Sequence, residues 1–72
     1  MNKGEIGRRM KGCRIALNIS TAEIAEHLGL TAQRVNAIER ELDDQHTIIR
    51  YLLYLRENGA DLNLIFSNTT NQ

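Results

Sequence analysis

The 72-residue chain has no proline, no tryptophan, one cysteine (Cys13) and three aromatic residues, and its nine Lys+Arg balance nine Asp+Glu to a formal net charge of zero. Each shortage excludes something. One cysteine cannot form an intramolecular disulfide, which a domain this small usually needs in an oxidising compartment, so a reducing cytoplasm is expected. No apolar run approaches the roughly 18–20 residues that span a bilayer, and Met1-Asn2-Lys3-Gly4 lacks the apolar stretch of a signal peptide, so no membrane association is expected. Cys13, His27 and His46 are the only soft metal ligands and share no paired spacing, so no metal or other cofactor is expected, and Cys13, in an apolar stripe, reads as a buried structural thiol. No Gly-rich phosphate loop and no nucleophile, base and acid set is recognisable. The length houses one domain, 1–72, and is too short for a nucleotide-binding βαβ pair or a barrel, so catalysis is not expected.

What is present is a helical period. Ile6, Met10, Cys13 and Leu17 recur at steps of four, three and four, one face of a helix. Gly12 within it costs about 1 kcal/mol relative to Ala, so this helix depends on tertiary packing. Ser20-Thr21-Ala22-Glu23 reads as a capping box, in which the Ser20 hydroxyl accepts from the Glu23 N–H while the Glu23 carboxylate reaches back. Ile24, Ala25 and Leu28 form the inner face of that second helix, and Gly29 can take the left-handed conformation that ends it. Thr31 caps a third helix running to Arg40, with Val35 and Ile38 inward. A fourth is expected from near Thr47 to Asn58, closed by Gly59. Asp61 is expected to cap a last short helix through Phe66, with Leu62, Ile65 and Phe66 inward. No stretch alternates with period two, so the expected fold is all-α, five helices followed by a polar tail at 67–72. Two short helices joined by a few residues at about 20–40 have the sequence shape of a helix-turn-helix.

The zero net charge conceals an asymmetry. Residues 1–40 hold seven cations against four anions, a net charge of +3, and residues 41–72 hold two cations against five anions, a net charge of −3. The chain is therefore dipolar, with its basic half containing the helix-turn-helix segment.

Ile6-Gly7-Arg8-Arg9-Met10, Arg14, the run Ile19-Ser20-Thr21-Ala22-Glu23-Ile24-Ala25-Glu26-His27-Leu28-Gly29-Leu30-Thr31, Val35 and Ile38-Glu39-Arg40 resemble the phage-repressor and Cro class of helix-turn-helix DNA-binding proteins, also called Xre-like. Gly59-Ala60-Asp61-Leu62-Asn63 is similar to the closing turn of its repressor-type members, so the resemblance covers roughly residues 5–66. Its most specific part is Ser-x-x-Glu-Ile-Ala-x-x-Leu-Gly-Leu-Thr. It implies a compact five-helix lambda-repressor-like domain in which the helix from Thr31 to Arg40 enters the major groove of double-stranded DNA.

The outward positions of that helix are Ala32, Gln33, Arg34, Asn36 and Ala37. Gln33 or Asn36 could bond adenine N6 and N7, Arg34 a guanine or a phosphate, and Ala32 or Ala37 a thymine methyl. The alternative is that these side chains merely solvate an exposed face. Backbone phosphates would meet the N-termini of the second and third helices, beside Thr21 and Thr31, with Arg40 adding a charge. The resemblance also implies that Arg14 pairs with Glu39 to lock the third helix to the scaffold, Arg14 also being able to face a phosphate. Two features depart from the family's pattern. Thr21 stands where Gln is common, and the acidic Glu41-Leu42-Asp43-Asp44 follows the third helix where glycine and basic residues are frequent, which predicts modest non-specific affinity.

The fourth helix is apolar nearly all round. Ile48, Tyr51, Leu52 and Leu55 form one face, leaving Ile49, Leu53 and Tyr54 on other sides, and Leu64 is surplus on the last helix. So small a domain has little room to bury them, which points to a homodimer built from about 47–66 through some of Ile49, Leu53, Tyr54 and Leu64, the alternative being that all of them pack within the monomer. Two copies would read a palindromic operator with half-sites about 34 Å apart. The expected function is a small dimeric transcriptional regulator of repressor type. From a different class, the same scaffold could serve as a protein-interaction module, an antirepressor or an antitoxin partner, and a regulatory protein partner is compatible with either.

Overall fold

Asn2, Ser20, Thr31 and Asp44 each stand in extended conformation immediately before a helix, and each side-chain oxygen accepts a hydrogen bond from the N–H three residues on, of Glu5, Glu23, Arg34 and Thr47. Such a cap satisfies one of the free amides of a helix start and is worth about 1 kcal/mol. In the computed structural model, which describes residues 2–67, these four caps open α1 (Lys3–Ala16), α2 (Thr21–Leu28), α3 (Ala32–Glu41) and α4 (Gln45–Glu57). A single turn, α5 (Asn63–Phe66), follows. The described residues form a compact all-α globule without a strand.

All five helices contribute to one core: Met10 of α1, Ile24, Ala25 and Leu28 of α2, Val35 of α3, Tyr51 and Leu55 of α4 and Ile65 of α5, with Ile19 from the α1–α2 connection. α2 passes to α3 through three residues, and Gly29 makes the turn at φ 72°, a left-handed conformation that costs glycine little. Leu42 ends α3 in the same region at φ 48°, where its half-buried side chain packs against the core. α1 and α3 meet at Gly7, where a Cβ would lie 1.7 Å from the carbonyl oxygen of Glu39. Only glycine lets the two backbones approach this closely.

Several local expectations change. Only half of the capping box forms: Ser20 Oγ accepts from the Glu23 N–H at 3.0 Å, but the Glu23 carboxylate accepts instead from the Tyr54 hydroxyl. α4 starts two residues before Thr47 because Asp44 caps it, and Thr47 is buried, its hydroxyl donating to Asp44 Oδ2 at 2.8 Å. These hydrogen bonds, from the Thr47 side chain and then its backbone, hold the Asp44 carboxyl below its ordinary range. Asp61 accepts from the Asn63 N–H rather than capping α5, whose N-cap is Leu62. One helical turn directs few side chains into the core, so Ile65 is buried, Leu62 half-buried and Phe66 exposed. Cys13 is half-buried rather than enclosed, and Leu17 lies at the C-cap of α1, still packed on the core. Of the polar tail, only Ser67 lies within the described residues.

Candidate nucleic-acid interface

The site is built around α3, whose attachment and exposure follow from its sequence spacing. Val35, Ile38 and Glu39 face the interior, while Thr31, Ala32, Gln33, Asn36 and Arg40 are exposed and Arg34 and Ala37 half-buried. Gln33, Asn36 and Arg40 lie at i, i+3 and i+7 and so share a line along the helix. Ala37 and Arg34 continue the surface on the other flank.

The inner side of α3 is fixed by a buried polar cluster. Arg14 Nε donates to Glu39 Oε2 at 2.8 Å, Arg14 Nη1 donates to the Ile19 carbonyl at 2.8 Å, and the Tyr51 hydroxyl donates to the same Glu39 oxygen. With Arg14 4% and Glu39 5% exposed, the pair is cut off from water and its charges are satisfied within the fold. Burial alone would lower the Arg14 pKa, but the hydrogen bond and charge of Glu39 hold it above its ordinary value. Burial, then the hydrogen bond and charge of Glu39, push the Tyr51 hydroxyl far above the usual tyrosine value, so it remains a proton donor. The cluster joins α1, α3, α4 and the α1–α2 connection at one point. Arg14 has no surface to offer a phosphate. Tyr51 carries no local sequence signal of its role, since its spacing marks it only as a core position.

Arg34 is turned away from the exposed line. Its guanidinium donates to both oxygens of Asp43 at 3.3 and 3.4 Å and stands 4.0 Å from Asp44. The pair is well exposed and so worth at most about 1 kcal/mol, weak enough for another anion to compete. The acidic segment after α3 thus partly neutralises the one cation among the expected base-reading positions.

At the helix starts, Thr31 Oγ1 is engaged as a cap to the Arg34 N–H at 3.0 Å, whereas α2 is capped by Ser20, leaving the half-buried Thr21 as its first residue. On the flank of α3 nearer α1, Asn36 and Arg40 line an open cleft of about 500 Å³ together with Arg8 and Lys11. Neither α1 residue is singled out by spacing, because their proximity to α3 depends on the glycine contact between the two helices.

The four expected interface residues are not equivalent. Ile49, Leu53 and Leu64 are exposed, at 58%, 45% and 65%. Tyr54 is half-buried, its ring stacked on His27 with centroids 4.0 Å apart and its hydroxyl 3.3 Å from Glu23. It belongs to the α2–α4 contact. Ile15 and Phe66 are further exposed apolar residues.

Among the described residues, no group of three or more His, Cys, Asp or Glu side chains is arranged to hold a metal ion, and no helix is long and apolar enough to cross a membrane. Comparison with protein-family models, with curated proteins and with solved structures finds no match. The resemblance to the phage-repressor and Cro class therefore stands on the residues that carry it.

Proposed function

We propose that this protein is a sequence-specific double-stranded DNA-binding regulator of the phage-repressor and Cro-like class, cytoplasmic and dimeric, which reads the major groove with α3. The observation that carries this reading is the two-sidedness of α3. Val35, Ile38 and the Arg14–Glu39–Tyr51 cluster hold it rigidly from within, while Gln33, Asn36 and Arg40 stand exposed along its outer side. Rigid presentation of amide side chains suits bidentate recognition of adenine, which requires their geometry to be set before contact. Fold alone would not justify the assignment.

One copy offers few base contacts, so the functional unit is taken to be a two-fold dimer. Ile49 and Leu53, exposed at i and i+4 on α4, form a face that can meet its own copy in an isologous interface. Control would come from protein concentration, the dimer equilibrium or a protein partner.

A protein-interaction module is the second reading, favoured by that same exposed apolar face and by the engagement of Arg34 with Asp43. Titration of random-sequence duplex DNA over a range of salt concentrations separates the two. A DNA binder loses affinity steeply, with log K falling by about 0.9 per neutralised phosphate per unit of log salt, whereas an apolar protein interface scarcely responds. Absence of salt-dependent duplex binding would remove the first reading.

A further inference from the structure

Among the described residues, Arg9, Arg14 and Arg34 pair with Glu5, Glu39 and Asp43, and Arg50 donates to the Leu28 carbonyl at the end of α2. Lys3, Arg8, Lys11, Arg40 and Arg56 have no such partner there. Three of these five, Arg8, Lys11 and Arg40, line the cleft between α1 and α3. The one acid bordering that cleft is Glu39, which is buried and already matched by Arg14. Three positive charges therefore share a small volume with nothing to balance them, an arrangement that raises the local concentration of an anion.

The shape of the cleft follows from two glycines. Gly7 brings the α1 backbone against α3, and Gly4, one helical turn earlier, contributes no side chain to the wall. The cationic side chains stand on both walls: Arg8 and Lys11 three residues apart on α1, facing Asn36 and Arg40 four apart on α3. All four are exposed, so the cleft is an open channel rather than an enclosed ion site. Asn36 belongs to both the cleft and the outward line of α3. An anion held there is thus continuous with whatever lies against Gln33 and Asn36, as a sugar-phosphate strand is continuous with its bases.

We propose that this cleft holds the backbone phosphates of the DNA strand beside α3, with Arg8 and Lys11 of α1 acting as phosphate ligands together with Arg40. The inference rests on the DNA-binding reading and assigns it a side: the strand is gripped on the α1 flank, because the opposite flank carries Asp43 and Asp44. Phosphate contacts of this kind fix position and add affinity without adding sequence preference.

The test is fluorescence anisotropy of a labelled random-sequence duplex across a salt series, with the wild type, the double variant Arg8→Ala/Lys11→Ala, and Arg56→Ala as a control for overall charge. The double variant should bind more weakly and its log–log salt slope should be shallower by about 1.8, two contacts at about 0.9 each, with an unchanged thermal melt because both side chains are exposed. Arg56→Ala, outside the cleft, should retain the wild-type slope. A wild-type slope in the double variant, or an equal loss in Arg56→Ala, would overturn the cleft assignment while leaving DNA binding intact. A wild type that shows no salt-dependent binding would overturn the DNA-binding reading and this inference with it.

Discussion

The Glu39 carboxylate is removed from water, and it is stable there because Arg14 and Tyr51 both donate to one of its oxygens. Taking away either donor leaves a buried acceptor short of a partner, and the charged donor matters more. Arg14→Ala should lower the unfolding free energy by about 3–5 kcal/mol, read from urea denaturation, a large part of what so small a domain possesses. A variant of unchanged stability would show that water replaces the guanidinium. Tyr51 adds a pH dependence. Burial and Glu39 raise its pKa above that of an unfolded tyrosine, near 10, so above that pH the unfolded chain releases a proton that the folded chain retains. Stability should therefore fall as pH rises beyond about 10, and Tyr51→Phe should reduce that fall. At the exposed surface, Gln33→Ala should relax preference at one base pair by about 1–3 kcal/mol, whereas Arg40→Ala should weaken binding to all sequences alike. Arg14 and Glu39 were legible in the sequence through resemblance. Tyr51 and the Arg34–Asp43 pair were not, because a hydroxyl reaching a carboxylate twelve residues away and a guanidinium swung across a helix end have no periodic signature.

Helices are where the sequence was most readable. Short-range rules set them: Ser20 and Thr31 bond amides three residues away, and Gly29 adopts a positive φ, all within one or two turns. Misplacements arose where two local rules compete. Asp44 and Thr47 can each open α4, and Asp44 prevails because it caps the helix while also accepting from the Thr47 hydroxyl, leaving Thr47 buried inside the first turn. α1 shows the limit of the local rules more sharply. Gly7 and Gly12 occupy the same helix and have the same propensity, yet a methyl group at Gly7 would collide with the Glu39 carbonyl while one at Gly12 meets nothing within 4 Å. Gly12→Ala should raise stability by up to about 1 kcal/mol. Gly7→Ala should lower it by about 3 kcal/mol or more by forcing α1 from α3, and it should disturb the buried cluster at the same time. Equal effects in thermal melts would contradict the close approach of the two helices.

For the molecule as a whole, the neutral charge resolves into a basic half carrying α1 to α3 and an acidic half carrying α4 and α5. Among the described residues Arg9, Arg14 and Arg34 are taken up by ion pairs, and three of the cations without such a partner, Arg8, Lys11 and Arg40, gather on the α1 flank of α3. The apolar exposure is also divided, and Ile49 with Leu53 presents the face suited to self-association. Ile49→Asp/Leu53→Asp should convert a sedimenting dimer to monomer with little loss of secondary structure, because neither side chain is buried. A wild type that sediments as a monomer at micromolar concentration would rule out this interface. Whether α3 reads DNA sequence is decided by selecting bound molecules from random duplex DNA with the wild-type protein. Enrichment of a two-fold symmetric site with half-sites about 34 Å apart, losing one specified position in Gln33→Ala, is the predicted result. Recovery of no preferred sequence would contradict sequence reading by α3.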